Sequence, residues 1–122
     1  DPAFLTCLGN DLGYEQVFSA QIDMFAQPGD ILIAISSSGN SENILKAVDS
    51  ARKKRCWILT LSGFLPDNSL RILGDCNIYV PSQEYGFVEI SHLAICHSAL
   101  DFALGWIANQ EKKKPELRVA TA

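Results

Sequence analysis

The sequence predicts an α/β domain built on a parallel sheet. Three observations carry this. Short apolar runs alternate along the chain with segments whose apolar residues recur at helical spacing, the pattern of βαβ units with right-handed crossovers. One of these runs, "ILIAI" at 31–35, is continuously apolar, as in a strand covered on both faces. The chain has 122 residues and is 48% apolar, which suits a single domain able to bury a core and argues against disorder.

The elements follow in order. "FLTCL" (4–8) reads as a short buried strand. "YEQVFSAQIDMFA" (14–26) sets Val17, Phe18, Ile22 and Phe25 at helical spacing. "QPGD" (27–30) is a turn, punctuated by Pro and Gly, ahead of the "ILIAI" strand. "SENILKAVDSARKK" (41–54) puts Ile44, Val48 and Ala51 on one stripe, with cations in the last turn. "CWILTL" (56–61) is another buried strand, and 62–75 is a loop holding one helical turn. "CNIYV" (76–80) is the last strand. From about 88 to 109 the pattern is apolar on most sides, as in a helix that is buried or shared with a partner chain. The domain is therefore expected over 1–110, with 111–122 as a frayed tail. Few helices are left to cover both faces of the sheet, so another segment or another chain should supply the rest.

Composition excludes several classes. The net charge of −4 disfavours binding to nucleic acid through phosphates. The basic clusters "RKKR" (52–55) and "KKK" (112–114) read as helix ends complementing the dipole. The longest unbroken apolar runs are far shorter than the roughly 20 residues a bilayer requires, and the first residues lack a basic segment ahead of an apolar one, so neither a membrane partner nor a signal peptide is expected. Cys7, Cys56, Cys76 and Cys96 show no paired spacing, which disfavours a zinc ribbon or a disulfide framework and suits the cytoplasm.

The chemistry concentrates in "SSSGNS" (36–41), at the carboxyl end of the "ILIAI" strand and the start of a helix. Ligands of open parallel sheets sit at strand carboxyl ends, and free N–H groups at a helix N-terminus favour an anion. Gly39 allows a positive φ or close backbone approach, and Ser36, Ser38 and Ser41 can each donate an O–H to a phosphate oxygen. No lysine follows the glycine as in a nucleoside triphosphate loop, so a single phosphate monoester fits better. The plainer alternative is that Asn40 or Ser41 caps the helix and the other serines fill a loop.

The stretch "DILIAISSSGNSENILKAVDSARKKRCWILTLSG" resembles the core of the sugar isomerase (SIS) domain family. "GNDLGYEQVFSAQID" is similar to its phosphoheptose isomerase branch. The resemblance covers about residues 4–108. It implies a three-layer α-β-α, flavodoxin-like domain from which the family's N-terminal helices, glycine-rich substrate loop and glutamate base are missing. It implies that Ser36, Ser37, Ser38, Gly39, Asn40 and Ser41 hold a sugar phosphate, and that Asn10 and Asp11 contact the sugar. The implied reaction is aldose–ketose isomerisation of sedoheptulose 7-phosphate in heptose synthesis for a surface polysaccharide. Homodimers or homotetramers with active sites between subunits are implied, as is the absence of an organic cofactor. The rival is a non-catalytic phosphosugar-binding or protein-interaction SIS module, in a regulator or beside a replication initiator.

Such an isomerisation moves a proton between neighbouring carbons through an enediol and needs an acid/base pair. "EISHLAICH" (89–97) is similar to the family's last helix, whose final histidine is the acid/base residue; that role falls on His97. Glu89 stands where the family has glutamine, and a carboxylate there is suited to act as a base or to ligate a metal. Some members carry zinc near this spot, which makes Glu89 and His97 the candidate ligands. On one helix these two would lie about 80° apart in rotation and about 12 Å apart along the axis. They could share a site only if the helix began after Glu89, or if different copies supplied them. His92 lies about 140° around from His97 and reads as structural. Plain alternatives stand beside these readings: His97 as an interface histidine, Glu89 as a first-turn carboxylate, Cys96 as a core residue.

Overall fold

The computed structural model describes the backbone of residues 1–113. Its strands are β1 (Ile31–Ser36), β2 (Trp57–Ser62) and β3 (Cys76–Tyr79), all parallel, in the order β1-β2-β3. Its helices are α1 (Pro2–Asp11), α2 (Ser19–Phe25), α3 (Glu42–Lys53) and α4 (Tyr85–Lys113). Asp1–His92 forms one compact unit and the chain from Leu93 onward a second. The predicted α/β class with a parallel sheet is present. Residues 114–122, most of the expected tail, lie outside the described residues.

Residues 4–8 are helical, which corrects the strand expected there. Phe4, Leu5 and Leu8 suit a helix as well as a strand, since a short apolar run does not by itself fix the period. The ends decide it. Asp1 caps the helix by accepting from Ala3 N at 2.8 Å, and Pro2 sits at the first turn, where its missing N–H costs nothing. The Thr6 hydroxyl bonds back to the carbonyls of Pro2 and Ala3.

The helix expected over 14–26 is interrupted. A 3₁₀ turn (Tyr14–Gln16) follows Gly13, whose φ is +92°, and α2 begins only at Ser19. The tighter turn carries Val17 fully into the interior, whereas Phe25 at the far end stays exposed.

The core lies between the sheet and α2 and α3. Ala34 and Ile58 meet Val48 and Ala51 of α3 and Leu70 of a 3₁₀ turn (Ser69–Ile72), with Ile22, Leu32 and Ile44 at the margin. The α3 stripe falls as its spacing predicts. Arg52 and Lys53 occupy the last turn of α3, and Arg52 reaches the Leu73 carbonyl and, at 4.0 Å, Asp75. Asp75 starts β3 by exchanging two 2.8 Å bonds with the backbone of Ile58.

One expectation about β1 fails. A strand covered on both faces was predicted, but β1 is an edge strand with one bare face. Ile31, Ile33 and Ile35, which point away from α3, are 66%, 49% and 44% exposed. Trp57, next to Ile31 in register, shares this exposure. Apolar clefts of about 420 and 360 Å³ open along the same strand beside α2.

The last helix begins at Tyr85, earlier than the expected 88. By length and composition its Tyr85–Gly105 stretch would suffice to cross a membrane, although the unbroken apolar runs are short. Its first turns nevertheless pack against the sheet, since Val88 and His92 are buried and the His92 Nε2 lies 3.2 Å from the Ser62 carbonyl.

Candidate functional site

The serine turn stands where predicted, between the carboxyl end of β1 and the start of α3. Gly39 adopts φ +66°, the left-handed turn that a side chain would oppose. This curls the chain so that three hydroxyls converge. Ser36 Oγ lies 3.0 Å from Ser41 Oγ and 3.4 Å from Ser38 Oγ. Gly39 N donates to Ser36 Oγ at 3.1 Å, and Asn40 N to Ser38 Oγ at 3.3 Å. The Ser37 carbonyl accepts from Gly63 N, which ties the turn to the end of β2.

The capping alternative does not hold. Ser41 occupies the N-cap position of α3, yet its side chain makes no cap bond. Asn40 turns its Oδ1 to Ser69 N at 3.0 Å, away from α3. Of the first-turn amides, Ile44 N donates to Asn43 Oδ1 at 2.9 Å, and the helix start keeps partial positive charge beside the three hydroxyls. The neighbouring Glu42 carboxylate would oppose an anion, but Lys46 holds it at 3.2 Å and also reaches Glu15 at 3.8 Å.

A cavity of about 430 Å³ opens beside this helix start, lined by Tyr14, Glu15, Ser41, Glu42 and Asn43. Hydroxyl, amide and carboxylate groups there suit a polyhydroxy chain attached to a bound phosphate. Sequence reading missed Tyr14, Glu15 and Asn43, although the first two lie just beyond the Asn10–Asp11 pair it selected, after Leu12 and Gly13. It also missed Asn68, buried at 3% exposure beneath Gly39. The visible signal was an Asn before a helical turn, since Asn68 caps the 3₁₀ turn by accepting from Arg71 N.

Asn10 and Asp11 end α1 and are exposed. Asn10 Nδ2 donates to Asp11 Oδ1 at 2.8 Å, and the Cys7 thiol donates to Asp11 Oδ2 at 3.6 Å. That hydrogen bond and the Asp11 charge raise the Cys7 thiol above its ordinary pKa.

Glu89 and His97 both lie on α4 and both are exposed. α4 starts before Glu89, so the condition that the helix begin after it is not met. No group of three His, Cys, Asp or Glu side chains able to hold a metal occurs among the described residues. Glu89 and His97 therefore have no third such side chain beside them among the described residues. His92 is the buried histidine. Its Nε2–H donates to the Ser62 carbonyl, while its Nδ1 and the Ser62 hydroxyl have no partner among the described residues.

Comparison with known proteins shows the family and the fold. The SIS domain family model matches residues 2–63, which span α1 to the end of β2 and include the serine turn. A phosphoheptose isomerase of Hamiltonella defensa is 42% identical over 98 residues, 80% of this chain and 47% of the relative. One from Helicobacter hepaticus is 41% identical over 101 residues, 83% of this chain and 51% of the relative. The solved phosphoheptose isomerase of Francisella tularensis superposes with a TM-score of 0.78 at 33% identity, covering 83% of this chain and 54% of that one. Its counterpart from Neisseria gonorrhoeae gives 0.76 at 32% identity, covering 83% and 57%. The chain thus spans about half the length of the relatives it matches. A serine-lined turn between a parallel strand and an uncapped helix, inside a matched stretch that covers half the sequence, places this chain in the SIS domain family.

Proposed function

We propose that the chain is the phosphate-binding half of a sedoheptulose 7-phosphate isomerase, acting in heptose synthesis for a surface polysaccharide. The observation that carries this is the convergence of Ser36, Ser38 and Ser41 at the uncapped start of α3. Those hydroxyls and the turn amides, without a lysine, form a neutral cradle suited to a monoester dianion. The relatives named phosphoheptose isomerase support the seven-carbon substrate.

Anchoring the phosphate fixes the far end of the sugar and leaves its carbonyl end to the acid/base groups. A base removes a proton from C1 of the ketose, an enediol forms, and a proton returns to C2 as the hydroxyl proton passes from O1 to O2. We assign the acid/base role to His97 and a supporting carboxylate role to Glu89, with Asn10 and Asp11 on the sugar chain. The two lie about 12 Å apart along an ideal helix, which suits a site completed by another copy in a homodimer or homotetramer. The protein is expected to work in the cytoplasm.

The test is conversion of sedoheptulose 7-phosphate to the aldose by the protein that carries this chain. His97→Ala should lower kcat by about 10²–10⁴-fold with KM little changed, the usual contribution of general acid/base catalysis. Unaltered turnover by His97→Ala would remove the assignment. The separation of Glu89 from His97 favours one rival, a phosphosugar-binding SIS module without catalysis. Tight binding of sedoheptulose 7-phosphate by the assembled protein with no aldose formed would decide for that module.

A further inference from the structure

We propose that Asn68 is a positioning residue for the phosphate cradle, holding the serine turn in shape without touching the anion. This rests on the phosphate-binding reading of the turn.

The loop after β2 runs against the back of the turn. Asn68 is its buried centre, at 3% exposure. Its Nδ2 donates to the Gly63 carbonyl at 3.1 Å and the Leu65 carbonyl at 2.8 Å, and its Oδ1 accepts from Arg71 N at 3.1 Å. With both donors and an acceptor committed, the amide plane has one orientation. That plane closes on Gly39, where an added Cβ would stand 1.9 Å from Asn68 Oδ1. The left-handed Gly39 therefore has a rigid wall behind it as well as a permissive backbone.

The Asn68 bonds stay within the loop, and three other bonds join the loop to the turn. Leu70 N donates to the Gly39 carbonyl at 2.9 Å, Gly63 N to the Ser37 carbonyl at 3.0 Å, and Ser69 N to Asn40 Oδ1 at 3.0 Å. The serine hydroxyls take no part in this bracing and bond only among themselves and to turn amides. Bracing and binding thus fall to different groups. The loop fixes the backbone, and the hydroxyls stay free to turn toward phosphate oxygens.

A double-mutant cycle read by calorimetric titration of inorganic phosphate into the protein that carries this chain tests the role. Asn68→Ala should weaken phosphate binding by about tenfold, and by less than about twofold once Ser38→Ala is already present, because neighbours in one network are not additive. A merely structural loss would give the same factor in both backgrounds and would overturn the proposal. Binding within about twofold of the unaltered protein in Asn68→Ala alone would overturn it too, since a tenfold effect is expected. Should Asn68→Ala not fold, Asn68→Ser keeps a cap acceptor for Arg71 N and removes the donors to the Gly63 and Leu65 carbonyls, and a loss of about threefold supports the bracing whereas no loss overturns it. Absence of phosphate binding by the unaltered protein would instead overturn the cradle reading, and this proposal with it.

Discussion

Ser38 shows how the residue-scale account is tested. Its hydroxyl lies 3.4 Å from Ser36 Oγ and accepts from Asn40 N, bonds the folded chain can lose cheaply because the residue is only half-buried. A hydrogen bond to a charged ligand is worth about 1.5–3 kcal/mol. Ser38→Ala should therefore weaken phosphate affinity by about tenfold or more and leave the melting temperature almost unchanged, as calorimetry and thermal denaturation would measure. Cys7 offers a second test at this scale. Asp11 stabilises the protonated thiol, so less thiolate exists at neutral pH than in an ordinary exposed cysteine. Asp11→Asn removes that charge and lowers the pKa toward its usual value. Alkylation of Cys7 by iodoacetamide near pH 7.5 should then be faster in the variant, read by mass spectrometry. The turn hydroxyls were legible in the sequence because they are contiguous. Asn68 was not, because it meets Gly39 from 29 positions further along the chain and nothing local marks the contact.

At the scale of elements, α3 and β2 were legible because apolar spacing and burial agree in them, and β1 and β3 were legible as short apolar runs. Val48 and Ala51 fall where the stripe puts them, fully buried against Ile58. Ile58→Ala should cost about 2–5 kcal/mol, measured by urea denaturation, because the site is closed on all sides. α1 was not legible, since a short apolar run carries no period of its own and the deciding groups are the caps at Asp1 and Pro2. The open face of β1 was hidden for a related reason. A continuous apolar run records what a strand can bury, whereas the neighbours that bury it lie outside the run. The turn between β1 and α3 is the element where backbone geometry matters most. Gly39→Ala forces a side chain into φ +66° and against Asn68, and should destabilise by about 1–3 kcal/mol while also weakening phosphate binding.

For the whole molecule, exposed apolar surface is the dominant fact. Ile90, Leu93, Leu100 and Leu104 of α4 are each more than half exposed, at 70%, 59%, 55% and 55%. A long helix apolar on most sides needs a partner, and the expected one is a second copy of the chain. Paired Leu93→Glu and Leu100→Glu substitutions should shift the protein from a multimer toward monomer in sedimentation velocity and abolish turnover together, if the proposed active site is completed by a second copy. Phosphate binding at the serine turn should survive that dissociation, since every group of the cradle comes from one chain.

The central claim is that a monoester anion sits on the hydroxyls and amides between β1 and α3. A crystal structure with sedoheptulose 7-phosphate tests it most directly. The account predicts phosphate oxygens within hydrogen-bond distance of Ser36, Ser38 and Ser41, with the sugar extending past Tyr14 and Asn43. A phosphate bound elsewhere, with the serine turn left to its own internal bonds, would contradict it.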